Sequence, residues 1–464
     1  IAANTLAKKY DVAVFDKASY LNKETNNETF GYHNYFEHYG LSATRGFGIQ
    51  LLTGKSVGGG TSINWQTSLE TPKQVLNEWD QLTSQDNYFD SDIFRESIKY
   101  VTDNLDVNTE YNNIPLKEEK LAEGFDKNNI NYRVIPKNNS SNHGMECGFC
   151  AFGCGYGSRN SSYKVWLNNE DFNGNIYSDT SIKRMILNNN EATHIEVENN
   201  GVISIVEVEK VILAGGSLNT PSILLNSGYK NPQLGKNLKT HPVSGVAGRF
   251  KEEQKPWFGS MQGMHSEDFL FKTDNYGYLL QGLPMHPSIF FPYFPNFVSS
   301  AADFIESYNN WSGAIVLTSD TSSGSLINNG PLWKYTLNDF DSNHLLDGLT
   351  KLVKSYYLAG AEEIMVSASP TMYWKRNESQ DIEEFINQIL SIKNQPYRLL
   401  LGSAHQMGTA RMNPNPNLGV TDLNGKVHGL DNVYIVDSSI FPRCSGVNPM
   451  VTIQSTSHFL MSQL

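Results

Sequence analysis

The sequence predicts an α/β (α+β) protein: a Rossmann-like unit assembled from separated stretches of chain, with a second unit of sheet and helix inserted between them. Three observations predict it. A helix, a short apolar strand and an acid follow one another at the start of the chain. Two glycine-rich strings, near residues 54–65 and 211–228, have the look of strand-to-helix turns. A last apolar strand, Val433 to Val436, ends in Asp437 and leads into a helix that runs to about Met461.

Residues Ile1 to Lys9 read as a helix, because Ile1, Leu6 and the alanines share one face. Asp11 to Phe15 reads as a strand, and Asp16 follows at once. Helix, strand, then acid at the strand tip is the second half of a dinucleotide-binding βαβ unit, in which the acid binds ribose hydroxyls. The first half, a strand with a Gly-x-Gly-x-x-Gly turn, is then expected upstream of Ile1.

The string from Gly54 to Trp65 is Gly-Lys-Ser-Val-Gly-Gly-Gly-Thr-Ser-Ile-Asn-Trp. Consecutive Gly58, Gly59 and Gly60 let backbone amides approach a ligand at dihedrals other residues avoid. Thr61 and Asn64 add side-chain hydrogen bonds. Further on, a strand from Val211 ends in Ala214, Gly215 and Gly216. The helix that follows is expected to carry Pro221 in its first turn, where proline is tolerated, and to close at Gly228. His241 comes next, before Pro242, and is read as structural. His405 stands in Ala404-His-Gln-Met-Gly-Thr-Ala-Arg-Met412. Ser438 follows Asp437 at the last strand tip. Asn448-Pro449-Met450 then reads as a helix start, Asn as the cap and Pro in the first helical position. Such an end carries free N–H groups and a partial positive charge.

Composition narrows the function classes. The formal net charge is −12, without the basic footprint of a nucleic-acid binder. No stretch of about 18 apolar residues offers a transmembrane helix. The aromatic run Leu283 to Val298 holds four prolines and suits a pocket lining or a membrane surface. Four cysteines are too few for a disulfide scaffold and fit an intracellular protein. Cys147, Cys150 and Cys154 have metal-like spacing but supply only three thiols, with Cys444 or His143 as candidate fourth ligands. They are read as a structural element, with no metal.

The Gly54–Trp65 and Val211–Gly228 strings, the His405 string and the Asp437 to Met450 string together resemble the glucose–methanol–choline family of flavin oxidoreductases. Thr61 departs from the family's usual Ser but keeps the hydroxyl. The resemblance implies an FAD-binding domain from residues 1–80, 140–245 and 400–464, and a substrate domain from 81–139 and 246–399. It places Asp16, Gly58, Gly59, Gly60, Thr61, Asn64, Trp65, Ile182, Ala214, Gly215, Asp437, Ser438, Asn448, Pro449 and Met450 against FAD. It makes His405 the base that takes the alcohol's proton and positions the alcohol, and Asn448 a hydrogen-bond donor to the substrate oxygen or the flavin edge.

Within the family, Asn64-Trp65-Gln66-Thr67, the Cys147–Cys154 string and Ser445 to Met450 look like the long-chain alcohol oxidases. The implied reaction takes a long-chain primary alcohol to its aldehyde, with molecular oxygen as acceptor. A sterol or other alcohol oxidase or dehydrogenase, or a lyase that holds flavin without redox turnover, stays open as an alternative. The terminal Ser462-Gln463-Leu464 is a cousin of the peroxisomal Ser-Lys-Leu address, so a peroxisomal or membrane-surface location is the expectation.

Overall fold

The apolar run after the first helix forms a strand at Val12–Phe15, as its β-branched and aromatic side chains favour. It pairs in parallel with Gly174–Tyr177, Val12 opposite Gly174 and Phe15 opposite Tyr177. A second parallel pair joins Val211–Leu213 to Val433–Ile435. The computed structural model describes residues 1–20, 26–290, 301–327, 332–378, 380–392 and 397–464. The two parallel pairs are separate pieces among these residues. Around them lie the helices Ala2–Leu6, Gly216–Asn226 and Met450–Ser462, and a three-stranded antiparallel sheet of Thr180–Asn188, Glu191–Asn199 and Val202–Glu207. One core cluster ties them together, with Leu6, Met185, Leu213, Leu224, Val433, Ile435 and Phe459 among its members.

The other layer is a nine-stranded sheet. Its path runs Met372–Lys375, Glu363–Val366, Val243–Arg249, Trp311–Thr318, Tyr278–Leu283, Met264–Ser266 and Arg133–Val134. Trp311–Thr318 is buried at every position, which explains the apolar run Ala314 to Leu317 within it: both faces are covered. The helix Asp339–Leu358 covers one face with Leu345, Leu349, Leu352 and Tyr356, joined by Leu121 and Phe125 from Leu116–Lys127. Gly348 permits the approach, since a Cβ there would stand 2.5 Å from a Val316 methyl.

The sheet draws strands from several of the segments marked out in the sequence. Gly402–Ser403 pairs with Val243 on one side and in parallel with Gln50–Leu51 on the other. That junction is where the segments around residues 50 and 402 meet the large sheet. Of the aromatic run, Leu283 ends a strand and Pro287–Phe290 is a short helix with Phe290 buried. Residues 291–298 of it lie outside the described residues. No helix among the described residues is long and apolar enough to cross a membrane.

Two local expectations are corrected. Pro221 is the sixth residue of the helix Gly216–Asn226, past its first turn. Proline has no N–H for the carbonyl four residues back. That carbonyl, of Ser217, accepts instead from the Thr409 hydroxyl at 2.6 Å. Gly228 does close the helix end, at φ +80°. The second correction is at Met450–Ser462, which is capped by Pro449 without a side-chain bond. The Asn448 amide is turned away from the helix because other partners hold it.

Candidate active site

His405 lies two residues past the strand Gly402–Ser403, and its backbone N–H donates to Ser403 Oγ at 3.2 Å. The antiparallel pairing of Gly402 with Val243 carries His241, two residues earlier, to the same place. The imidazoles meet edge to face, His241 Nδ1 to His405 Nδ1 at 3.3 Å. Asn448 closes the group from the C-terminal segment, with Nδ2 3.5 Å from His405 Nε2. His405 and Asn448 are partly open and His241 is fully buried. Burial pushes the His405 imidazole down to about 4 and His241 well below the ordinary histidine value. Both rings are therefore neutral near pH 7.

A relay of amides fixes Asn448. Gln281 Nε2 donates to Asn448 Oδ1 at 2.9 Å, Gln262 Nε2 donates to Gln281 Oε1 at 3.2 Å, and Thr67 Oγ1 donates to Gln262 Oε1 at 2.7 Å. Gln281 and Gln262 are buried, so each donor and acceptor is committed. Sequence reading missed both. Their signal was weak: polar residues inside apolar strand patterns, with no motif around them.

The glycine string is built as a cradle. Gly58 has φ +96°, and a Cβ on it would stand 2.9 Å from Tyr163 N and Cβ. Gly59 and Gly60 face open space, where a Cβ would meet nothing within 4 Å. Thr61 Oγ1 donates to Gly58 O at 2.7 Å and accepts from Ser162 N at 2.9 Å, so the hydroxyl braces the loop. Asn64 Nδ2 reaches Met450 Sδ at 2.9 Å, which brings this loop to the start of the C-terminal helix. The Trp65 carbonyl accepts from buried Lys137 at 3.2 Å.

The remaining predicted residues lie around this arrangement. Asp16 follows the strand Val12–Phe15, and its carboxylate accepts from Ala18 N at 2.9 Å. A polar hollow of about 180 Å3 is lined by the neighbouring Lys17 and Ser19 together with Lys55 and Asp179. Ala214 and Gly215 end the strand Val211–Leu213 at an exposed turn. Buried Asp437 clasps that turn: Oδ2 accepts from Gly216 N at 2.8 Å and Thr220 Oγ1 at 2.6 Å, and Oδ1 from Ser439 N at 2.8 Å. Burial raises its carboxyl against those donors. Ser438 donates to the Gln406 carbonyl at 2.8 Å, next to His405. Ile182 sits in the strand Thr180–Asn188, opposite Val197.

The cysteines do not form one cluster. Cys150 is buried, with Sγ taking Gln66 Nε2 at 3.3 Å, and Cys154 Sγ is 3.5 Å from Ser158 Oγ. Cys444 sits elsewhere, with His241 and Asp320, their ligand atoms within 4.8 Å of one another. Those atoms already have protein partners. Cys444 Sγ contacts Ser319 Oγ at 3.2 Å, and the Asp320 carboxylate accepts from Thr240 N at 2.9 Å, His241 N at 3.2 Å and Tyr335 Oη at 2.7 Å.

The N-terminal and C-terminal family models for GMC oxidoreductases, the glucose–methanol–choline family, match residues 33–243 and 313–457. The chain belongs to the GMC oxidoreductase family. Long-chain-alcohol oxidase FAO4A of Arabidopsis thaliana is 32% identical over 99% of this chain, and FAO4B of the same plant is 29% identical over 100%. The chain spans 66% and 65% of the length of these relatives. Among solved structures, pyridoxine 4-oxidase from Mesorbium loti superposes with a TM-score of 0.72 at 15% identity, covering 100% of this chain and 96% of that one. Formate oxidase of Aspergillus oryzae RIB40 gives 0.70 at 15%, covering 99% and 95%. At that identity the likeness is one of fold.

GMC oxidoreductases bind FAD, and this chain fits the group. A left-handed glycine that no larger residue can replace is followed by two that open on empty space. An acid stands at the tip of a parallel strand, and the cradle meets a helix amino end at Asn64 and Met450.

Proposed function

We propose that this GMC oxidoreductase oxidises a long-chain primary alcohol to the aldehyde, with oxygen as the electron acceptor. The observation that carries the chemistry is the His405–Asn448 pair, a neutral imidazole and an amide nitrogen 3.5 Å apart. The support for the substrate class is the likeness to plant long-chain-alcohol oxidases along almost the whole chain.

FAD, when bound, supplies the acceptor for the hydride that leaves the carbinol carbon. Gly58, Gly59, Gly60, Thr61 and Asn64 would hold it, with Asp16 at the ribose and Asp437, Ser438, Pro449 and Met450 around the ring. His405 Nε2 faces the alcohol oxygen and takes its proton in the tautomer that leaves this nitrogen bare. Asn448 Nδ2–H donates to the same oxygen and orients the carbinol carbon. Gln281 keeps that amide from rotating, because its own N–H is spent on Asn448 Oδ1.

The test is anaerobic absorbance of the full-length flavoprotein before and after adding dodecanol. Bleaching of the flavin band is expected, with colour returning when air is admitted. A flavin that dodecanol leaves oxidised and a sterol or short alcohol bleaches would overturn the substrate class. One that no alcohol bleaches would favour the lyase reading.

A further inference from the structure

His241 received no chemical role from the sequence, yet its hydrogen bonds decide the state of His405. The Gly446 N–H donates to His241 Nε2 at 3.2 Å, so that nitrogen carries a lone pair. His241 is buried and neutral, and a neutral imidazole with a bare Nε2 holds its proton on Nδ1. That proton points at His405 Nδ1, 3.3 Å away. His405 Nδ1 is then the acceptor, and the single proton of neutral His405 stands on Nε2. We propose that His241 is a positioning residue for the alcohol oxidation: by donating from Nδ1 to Nδ1 it sets the tautomer of His405. The proposal rests on the functional reading above for its kinetic consequence and on the hydrogen bonds alone for the tautomer.

Asn448 leads to a matching result from the other side. Gln281 donates to its Oδ1, so Nδ2 is turned to His405 Nε2. Two N–H donors then face each other across 3.5 Å. What satisfies both is one oxygen with free lone pairs: that of an alcohol, an alkoxide or an aldehyde. In this tautomer the pair clamps the oxygen.

His405 accepts a proton at Nε2 only in the other tautomer, with its own proton on Nδ1 and donated to His241 Nδ1. His241 must then carry its proton on Nε2, against the Gly446 N–H. The transfer breaks the O–H bond and forms Nε2–H, leaving the electron pair on oxygen and His405 as imidazolium. Taking the hydroxyl proton therefore requires Gly446 to release His241. Gly446 is two residues before Asn448, so the segment that presents the amide also gates the base.

Among the described residues, no carboxylate pairs with either ring. Asp320 is the nearest acid to His241, but its oxygens are spent on the His241 and Thr240 backbone N–H groups and on Tyr335. Besides His405, Cys444 lies with Asp320 against the ring; the Lys239 charge acts on Asp320 and on Cys444, and the Arg443 charge acts on Cys444.

The experiment is 15N NMR of the full-length flavoprotein labelled at histidine, with His405 assigned by the signals lost in His405→Gln. The expected wild-type spectrum has a protonated Nε2 and a bare Nδ1 at His405. His241→Glu puts a carboxylate where the donor was. It should move the His405 proton to Nδ1 and raise the acid midpoint of flavin reduction by roughly one to three pH units. His241→Gln, whose amide can both accept from Gly446 and donate to His405, should keep the wild-type tautomer and midpoint. A wild-type His405 protonated on Nδ1, or equal midpoints in the Glu and Gln variants, would overturn the proposal. If no alcohol reduces the flavin, the substrate reading fails while the NMR arm still decides the tautomer.

Discussion

At the scale of single residues, His405 holds its place by a short strand and its protonation state by its surroundings. Its surface is partly open, but the protein around it lowers its proton affinity to about 4. A base works in its unprotonated form. The rate of flavin reduction should therefore stay level as pH falls from 8 to about 5, and drop only as pH passes through His405's own value near 4. Stopped-flow reduction across that range checks it; a drop centred near 6.5 would mean the ring is not desolvated in the working enzyme. His405→Ala should keep its flavin band and lose roughly 10²- to 10⁴-fold in reduction rate. Loss of the flavin with the activity would instead make His405 a structural residue. His405 and Asn448 were legible in the sequence because each stands in a long, specific string. Gln281, Gln262 and the role of His241 were not, because a buried polar residue declares its purpose only when its partner is known.

At the scale of elements, the glycine cradle separates backbone strain from ligand space. Gly58 needs its left-handed φ and has Tyr163 against it, so Gly58→Ala should destabilise the fold itself by about 1–3 kcal/mol. Gly60 has no positive φ and no neighbour within 4 Å of an added methyl. Gly60→Ala should then leave the thermal midpoint of the apoprotein unchanged and weaken FAD retention, because the methyl occupies the cradle. Thermal melts of the apo forms and flavin absorbance after gel filtration check the pair. Equal loss of flavin and of apo stability in both variants would show that the open space is not the cofactor's. The elements themselves were read well where local rules hold: the strands at Val12–Phe15, Val211–Leu213 and Val433–Ile435, and the Gly228 helix stop. Local rules failed where a distant partner took over. Thr409 makes an interior Pro221 tolerable, and Gln281 draws Asn448 off the helix cap.

At the scale of the whole molecule, several histidines are buried and neutral. His405 and His265 are both held near 4, and His241, His286, His344 and His458 are lowered as well, chiefly by burial. In the unfolded chain they titrate near 6.5. Between 6.5 and about 4 the unfolded state binds protons that the folded state does not, so stability falls as pH falls. The urea midpoint should be lower at pH 5 than at pH 7, most of the change arising below 6.5. An unchanged midpoint would mean that these rings gain partners on protonation. Charge also acts at this scale: the net −12 is a surface property and has no counterpart in the site, whose working groups are neutral.

The sequence by itself determined the class of fold and the family resemblance, and it singled out His405 and Asn448, two side chains that the fold brings within 3.5 Å of each other. Hydrophobic period, glycine placement and cap chemistry are local, and the strings around residues 58, 405 and 448 are long enough to be specific. Only the tertiary structure decided how those strings meet. Val243 pairs with Gly402, and that single register sets His241 against His405 from 164 residues away. Gln281 reaches Asn448 across 167 residues, and Asn64 reaches Met450 across 386. The proton position on His405 follows from those meetings, because a neutral imidazole takes its tautomer from whichever donor or acceptor the fold sets beside each nitrogen.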